Sequence, residues 1–130
     1  SSDSREAEKQ CIGVAADACM FATPAGTSTI GMNGCFDQEL QYWDAQLNTA
    51  YRQLRVNAAS FDAQATADGG AGPSVADALQ QMQRSWIDFR DASCRFSAAQ
   101  WGSGTGAGTA TVACLMEMTG AQALALGEAY

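Results

Sequence analysis

Apolar residues recur at intervals of three and four along two long stretches of the sequence, and this spacing constrains the fold more than any other feature. In the first stretch they are Phe36, Leu40, Trp43, Leu47, Tyr51, Leu54, Ala58 and Phe61. In the second they are Val75, Leu79, Met82, Trp86, Phe89 and Phe96, with Ser93 at the same spacing. Because an α-helix has about 3.6 residues per turn, each set lies on one helical face. Two long amphipathic helices are therefore predicted, each burying its apolar face.

Glycine-rich stretches separate these helices from each other and from a third. Residues 68–73 contain three glycines and a proline, which predicts a loop, and Ser74 is predicted to cap the helix that follows. Residues 102–108 contain four glycines, which predicts a flexible connection. A third helix is predicted beyond it from Val112, Leu115, Met116, Thr119, Ala123, Leu126 and Tyr130.

The N-terminal part of the chain is predicted to lack a long helix. A short helix is expected from about Arg5 to Met20, and an irregular crossing from Ala22 to Gly34, which is rich in Gly and Thr. No strand alternation persists anywhere. The expected fold is a single all-α domain over 1–130, with an N-terminal segment and crossing loop over 1–34 and a helical core over 35–130. It is a disulfide-stapled bundle of three long helices plus a short N-terminal helical piece.

The five cysteines lack the close spacing of zinc or thioredoxin-type sites, so they indicate disulfides rather than a metal or cofactor. Cys94 and Cys114 flank the second glycine-rich stretch, and a bridge between them would contribute roughly 3 kcal/mol for a closed loop of about 20 residues. If residues 11–19 form one helix, the Cα atoms of Cys11 and Cys19 are about 12 Å apart, too far for a bridge. Cys19–Cys35 and Cys11–Cys35 remain open. The first is slightly favoured, which leaves Cys11 as a free or intermolecular thiol.

Charge and composition exclude several classes of function. The chain has 7 basic and 14 acidic residues, a net charge of −7, and no His, which argues against nucleic-acid binding and excludes mechanisms that need an imidazole. No spacing singles out a pair of catalytic carboxylates, so no enzyme is expected. No uncharged apolar run of about 18 residues occurs, so a membrane-spanning segment is not expected. Disulfides and a polar start typical of a mature terminus favour a periplasmic or secreted protein whose signal peptide has been removed.

Several motifs resemble the LprI-type lysozyme inhibitor N-terminal domain family over about residues 19–126. They are Met32-Asn33-Gly34-Cys35, Asp44-Ala45-Gln46-Leu47-Asn48-Thr49-Ala50-Tyr51, Gln83-Arg84-Ser85-Trp86-Ile87-Asp88-Phe89-Arg90-Asp91-Ala92-Ser93-Cys94, and Cys114-Leu115 with Thr119. They are similar to the family patterns M-N-x-C, D-x-x-L-N-x-x-Y, Q-R-x-W-x-x-F-R-D-x-x-C and C-L-x-x-x-T. The chain departs from the family at Ser93, where an acidic residue is common, near Gln122, where an Arg is frequent, and in having Cys11.

The charged and aromatic motif residues are interpreted as structural rather than as a ligand site. They are Asp44, Asn48, Tyr51, Arg84, Trp86, Arg90 and Asp91. Asp88 is expected to pair with Arg84 four residues away, and Arg90 and Asp91 are expected to reach Asp44 and Asn48 on the first helix. Trp101 is either a core residue or an exposed anchor for a partner, and the sequence leaves this open.

The resemblance implies an exported helical domain with disulfides, in a family of which one branch inhibits lysozyme. The hypothesis is an exported acidic protein-binding module that docks at the cleft of a lysozyme-type basic glycosidase, with association favoured by opposite net charge. The loop at Trp101, or residues 62–73, would block the cleft. The alternative is a structural or assembly subunit of a larger exported or membrane-associated complex, held by the remaining apolar helix surface and Cys11.

Overall fold

The computed structural model describes residues 2–129, with the side chains of residues 6–129. It contains α1 (Ser2–Lys9), α2 (Val14–Ala22), a 3-10 turn (Pro24–Thr27), α3 (Thr29–Ala67), α4 (Val75–Ala99) and α5 (Gly106–Glu128). No strand occurs in this part of the chain, so the all-α prediction is confirmed, and α3, α4 and α5 are the three long helices. Tyr130, expected on the third helix, lies outside the described residues.

The core lies where α5 packs along α3, closed by α2 on one side and α4 on the other. Its buried apolar residues are Ala16, Trp43, Leu47, Ala50, Met116, Ala123 and Leu126. The predicted inner faces of α3 and α5 are therefore largely correct. Phe61 is an exception, because it is exposed at a shallow cleft of about 260 Å³ that stays open between the end of α3 and the start of α4.

The N-terminal region contains more helix than the sequence indicated. The expected single helix is broken at residues 10–13, where Gly13 adopts a left-handed conformation with φ 96°. The expected crossing loop is also wrong beyond residue 28, because α3 begins at Thr29. Ser28 caps this helix by accepting a hydrogen bond from the Gly31 amide at 3.0 Å. A Cβ atom at Gly31 would collide with the Ala25 carbonyl, so the glycine permits close packing rather than ending the helix.

The predicted inner face of α4 is wrong for four of its seven residues. Leu79, Trp86 and Ser93 are half-buried, but Val75, Met82, Phe89 and Phe96 are exposed. The face that packs against the bundle is rotated toward Gln83 and Cys94, both buried. The reason is that Cys94 must face α5 to form its disulfide, and this fixes the rotation of the helix about its axis. A second apolar face is left in solvent.

The start and composition of α5 also differ from expectation. The helix begins at Gly106, so the last three residues of the predicted flexible connection, 106–108, are helical. Among the described helices, α5 has the length and apolar composition that would allow it to cross a membrane, although Glu117 lies near its middle. Core helices share this composition. Here α5 packs against α1, α3 and α4.

Two disulfides join the helices. Cys94 and Cys114 link α4 to α5 with Cα atoms 5.5 Å apart, and Cys19 and Cys35 link α2 to α3 with Cα atoms 5.6 Å apart. Both distances are normal for disulfides. Cys11 is free and exposed.

Candidate functional site

Both disulfides lie toward the same end of the bundle, where five elements meet. The end of α2, the 3-10 turn and the start of α3 are joined there by Cys19–Cys35, and the end of α4 and the start of α5 by Cys94–Cys114. The two parts contact each other where the Thr109 hydroxyl donates a hydrogen bond to Asn33 Oδ1 at 2.6 Å. We refer to residues 18–36 and 92–116 as the tip.

The tip differs from the rest of the chain in charge. Its one charged residue is Arg95, and all 14 acidic residues of the chain lie outside it. Four of these acids, Asp17, Asp37, Asp91 and Glu117, directly flank the tip in sequence, and the other ten lie elsewhere in the chain. The molecule has a strongly negative body and a nearly neutral tip with one positive charge.

The tip also exposes large apolar side chains. Phe21 and Ile30 are 84% and 86% exposed, and Trp101 is 60% exposed. Scattered apolar residues are normal on protein surfaces, but these lie on a region almost without charge. Such a region is suited to a partner surface rather than to free solvent.

Trp101 is held in place by the turn that connects α4 to α5. Its amide donates to the Ala98 carbonyl at 3.0 Å, and its carbonyl accepts from the Gly104 amide at 3.2 Å. Gly102 adopts φ 60°, which favours glycine, and the indole ring lies so close to Gly106 that a Cβ atom there would collide with it. One face of the indole is thus packed on backbone while much of the ring remains exposed. The structure places Trp101 as an exposed side chain rather than a core residue.

The motif residues of α4 interact differently from the sequence expectation. Arg90 lies over the Trp86 ring, with its guanidinium carbon 5.1 Å from the ring centroid, and its Nε donates to Asp91 Oδ1 at 3.0 Å. Asn48 donates to Asp44 Oδ2 within α3 at 3.4 Å. The expected pairing of Arg90 and Asp91 with Asp44 and Asn48 is therefore wrong, because each pair is satisfied within its own helix.

The remaining motif residues show no sign of a ligand site. Tyr51 and Trp86 are half-buried and pack against the core. Arg84 is exposed, and within the described residues it forms no ion pair with Asp88, because both side chains remain in solvent. No group of three or more acidic or cysteine side chains in the described part of the chain could hold a metal ion.

Glu39 is an important residue that sequence reasoning missed. It is 4% exposed, and its carboxylate accepts hydrogen bonds from the Gly13 amide at 2.5 Å, the Ala16 amide at 2.8 Å and Trp43 Nε1 at 2.8 Å. It therefore caps the start of α2 from α3. Only the Trp43 contact, four residues away, could have been inferred from the sequence.

Two other acids lie near this cap. Burial raises the pKa of the Glu117 carboxyl, and the negative charges of Glu39 and Asp17 raise it further. Glu39, Asp17 and Glu117 repel one another, so packing α2 against α3 and α5 costs electrostatic free energy. All three residues lie outside the tip.

The family is settled by the extent of the match to a known family model. The model described as lysozyme inhibitor LprI matches residues 19–126. The chain belongs to the LprI lysozyme inhibitor family. The match begins at Cys19 and ends at Leu126, so both disulfides and the whole tip except Ala18 lie inside the LprI region.

Among known proteins, the chain is similar to an uncharacterized protein of Rhizobium meliloti (strain 1021), with 29% identity over 92 residues. The aligned region is 71% of this chain and 66% of that protein. No solved structure shows a significant match. The LprI family consists of exported proteins, and the two disulfides fit an extracytoplasmic location.

The second candidate loop, residues 62–73, is wrong for its first half, because α3 continues to Ala67, and the segment is less suited to binding in a cleft. Asp62 accepts hydrogen bonds from Val75 N at 2.7 Å, Ala76 N at 3.0 Å and Ser74 Oγ at 2.8 Å. These bonds, led by those from Ala76 and Val75, lower the pKa of the Asp62 carboxyl. The loop also contains Asp68 at the end of α3. It is tied to the start of α4 and carries negative charge.

Proposed function

We propose that this protein inhibits a lysozyme of net positive charge by inserting its tip into the substrate cleft. The single observation that carries this proposal is the separation of charge, with a body that holds all the acidic residues and a tip that holds none. Membership of the LprI family supports lysozyme as the target.

The chemistry of the target explains why an acid-free tip matters. Glycosidases of this kind flank the scissile bond with two carboxyl groups. An acidic side chain forced into that cleft would be repelled by them and would lose its hydration. Arg95 is the one charge on the tip, and its sign is compatible with such a cleft.

The acidic body has a separate role in the proposal. A net charge of −7 attracts a basic enzyme over long range and favours contact between the acidic body and the basic rim of the cleft. Because these charges lie at the surface, the attraction weakens as salt increases. Inhibition is therefore salt-dependent even though the inserted tip is nearly neutral.

Trp101 is the proposed anchor of the interface. Tryptophan is the residue type most often found at the energetic centre of protein interfaces. The turn that packs its ring on Gly106 fixes its position before binding, which reduces the entropy lost on association. We further propose that the protein acts in the periplasm or outside the cell, where it would meet such an enzyme.

The test is the turnover of a c-type lysozyme on a cell-wall suspension, titrated with the protein. Inhibition is expected at low salt and should weaken at high salt. Trp101→Ala should raise the concentration needed for half-inhibition by at least about tenfold. Phe61→Ala, an exposed aromatic at the opposite end, is the matched control and should leave inhibition unchanged.

A second pair of variants tests the charge argument. Ile30 is almost fully exposed, so Ile30→Glu and Ile30→Lys should both fold. The Glu variant should inhibit much less well than the Lys variant, because only the Glu variant brings a negative charge to the cleft. Equal inhibition by the two variants, or no inhibition by the native protein at about tenfold molar excess, would overturn the proposal.

A further inference from the structure

The outer face of α4 carries a regular pattern of large apolar residues that the packing of the bundle uses only in part. Val75 lines the cleft beside Phe61, and Met82 Sδ accepts a hydrogen bond from Gln122 Nε2 of α5 at 3.6 Å. Val75, Met82, Phe89 and Phe96 are spaced seven residues apart. Val75 and Met82 are each 40% exposed, and Phe89 and Phe96 are 65% and 68% exposed. Seven residues are close to two helical turns, so these side chains form one line along the helix.

Small residues fill the positions between them. Ala78, Ser85, Ala92 and Ala99 each follow a large residue by three positions, and all four are exposed. Large and small residues thus alternate at the two positions that form the seam of a coiled coil. The helix has 25 residues and is about 37 Å long, enough to offer four such layers to a second helix.

Two exposed charges lie beside this seam. Asp88 and Arg95 are also seven residues apart, and each precedes a large seam residue by one position. Both are exposed, and neither forms an ion pair within the described residues. Because the two charges have opposite signs, the Asp88 of one copy would face the Arg95 of another when the two α4 helices pack antiparallel.

We propose that the protein forms a homodimer in which α4 packs antiparallel against α4 of a second copy. In this arrangement Phe89 packs against Ala92 of the second copy, and Phe96 packs against Ser85 of the second copy. Met82 likewise meets Ala99 of the second copy, so three large residues each meet a small one, while Val75 lies beyond the end of the partner helix. A parallel pair would place large residues against large ones and leave gaps between the small ones.

The same antiparallel register places Arg95 beside Asp88 of the second copy, and the twofold axis repeats this pair. Arg95 and Phe96 belong to the tip, so the dimer buries this edge of each tip and leaves Phe21 and Ile30 outside the seam. The proposed dimer does not depend on lysozyme inhibition. A single helix face is a small interface, so the dissociation constant is expected in the micromolar range.

Sedimentation equilibrium of the purified protein, without lysozyme, tests the dimer. The average mass should rise from one copy toward two as the concentration increases from micromolar to millimolar. Phe89→Ser should weaken association by at least about tenfold, because it removes the central large residue from both copies. Val56→Arg, an equally exposed apolar site on α3, is the control and should dimerise normally.

A charge exchange tests the register. Asp88→Arg and Arg95→Asp should each weaken the dimer by about tenfold, because each creates two like-charge contacts. The double variant should restore native affinity. A mass of one copy at millimolar concentration would overturn the proposal, and so would a dimer insensitive to Phe89→Ser. A double variant no tighter than the single variants would refute the antiparallel register.

Discussion

The buried carboxylate of Glu39 gives the sharpest test of how the N-terminal region is held on the bundle. Its three hydrogen bonds join α3 to the start of α2 and to the Trp43 indole. Glu39→Gln keeps the volume of the side chain but has one oxygen instead of two. At least one of the three donors must then face the amide NH₂ group and lose its bond.

The size of the effect follows from these contacts. A hydrogen bond to a charged group contributes about 1.5–3 kcal/mol, and a buried donor left without an acceptor is costly. Glu39→Gln should therefore lower the free energy of unfolding by about 2–4 kcal/mol, a large part of the stability of a small domain. For a chain of 130 residues this corresponds to a fall in Tm of roughly 10 °C.

Urea unfolding followed by far-ultraviolet circular dichroism is the assay. Asp37→Asn is the matched control, since Asp37 lies two residues earlier on α3, carries the same charge and is exposed. It should change the free energy of unfolding by less than about 0.5 kcal/mol. If Glu39→Gln were as stable as Asp37→Asn, the capping role assigned to Glu39 would be refuted.

Three further outcomes follow from the structure. Replacing Cys94 and Cys114 by Ser should lower the free energy of unfolding by about 3 kcal/mol, the chain-entropy value for a bridge that spans 20 residues. Thermal unfolding of the variant and of the native protein, side by side, measures this loss. An unchanged Tm would contradict the prediction. Because the pKa of Glu117 is raised in the fold, its carboxylate opposes folding at neutral pH. Glu117→Gln should therefore stabilise the protein at pH 7, and the gain should vanish below the ordinary carboxyl pKa. The pKa of Asp62 is lowered, so its carboxylate stabilises the fold at neutral pH and this contribution is lost as the pH falls through the folded pKa. Asp62→Asn should be less stable than the native protein at pH 7 and equal to it in strong acid; a constant difference across pH would contradict this.

The features predicted correctly from the sequence are those set by local spacing. The inner face of α3 follows from apolar residues at helical intervals, and Cys94 and Cys114 flank the predicted connection between the second and third long helices. These signals depend on neighbouring residues, which a sequence shows directly.

The rotation of α4 could not be derived in the same way. The helix carries two apolar lines, one through Leu79 and Trp86 and one through Met82 and Phe89, and both have helical spacing. Their residue types do not distinguish them. The choice is made by contacts with α5, including the Cys94 disulfide, which are distant in sequence.

Long-range contacts also explain the errors in the N-terminal region. Glu39 is bonded to the amides of Gly13 and Ala16, which are 26 and 23 residues away. Gly31 suggested a loop, but it is required by close packing against the 3-10 turn. The exposure of Trp101 likewise depends on a turn whose geometry the glycine-rich sequence left open.

Hydrogen exchange of the protein, alone and saturated with a c-type lysozyme, tests the central claim most directly. The account predicts slower exchange across the tip, centred on the turn that carries Trp101, and unchanged exchange in residues 68–74. Slower exchange confined to residues 68–74, or no change at either end under conditions where the lysozyme is inhibited, would contradict it.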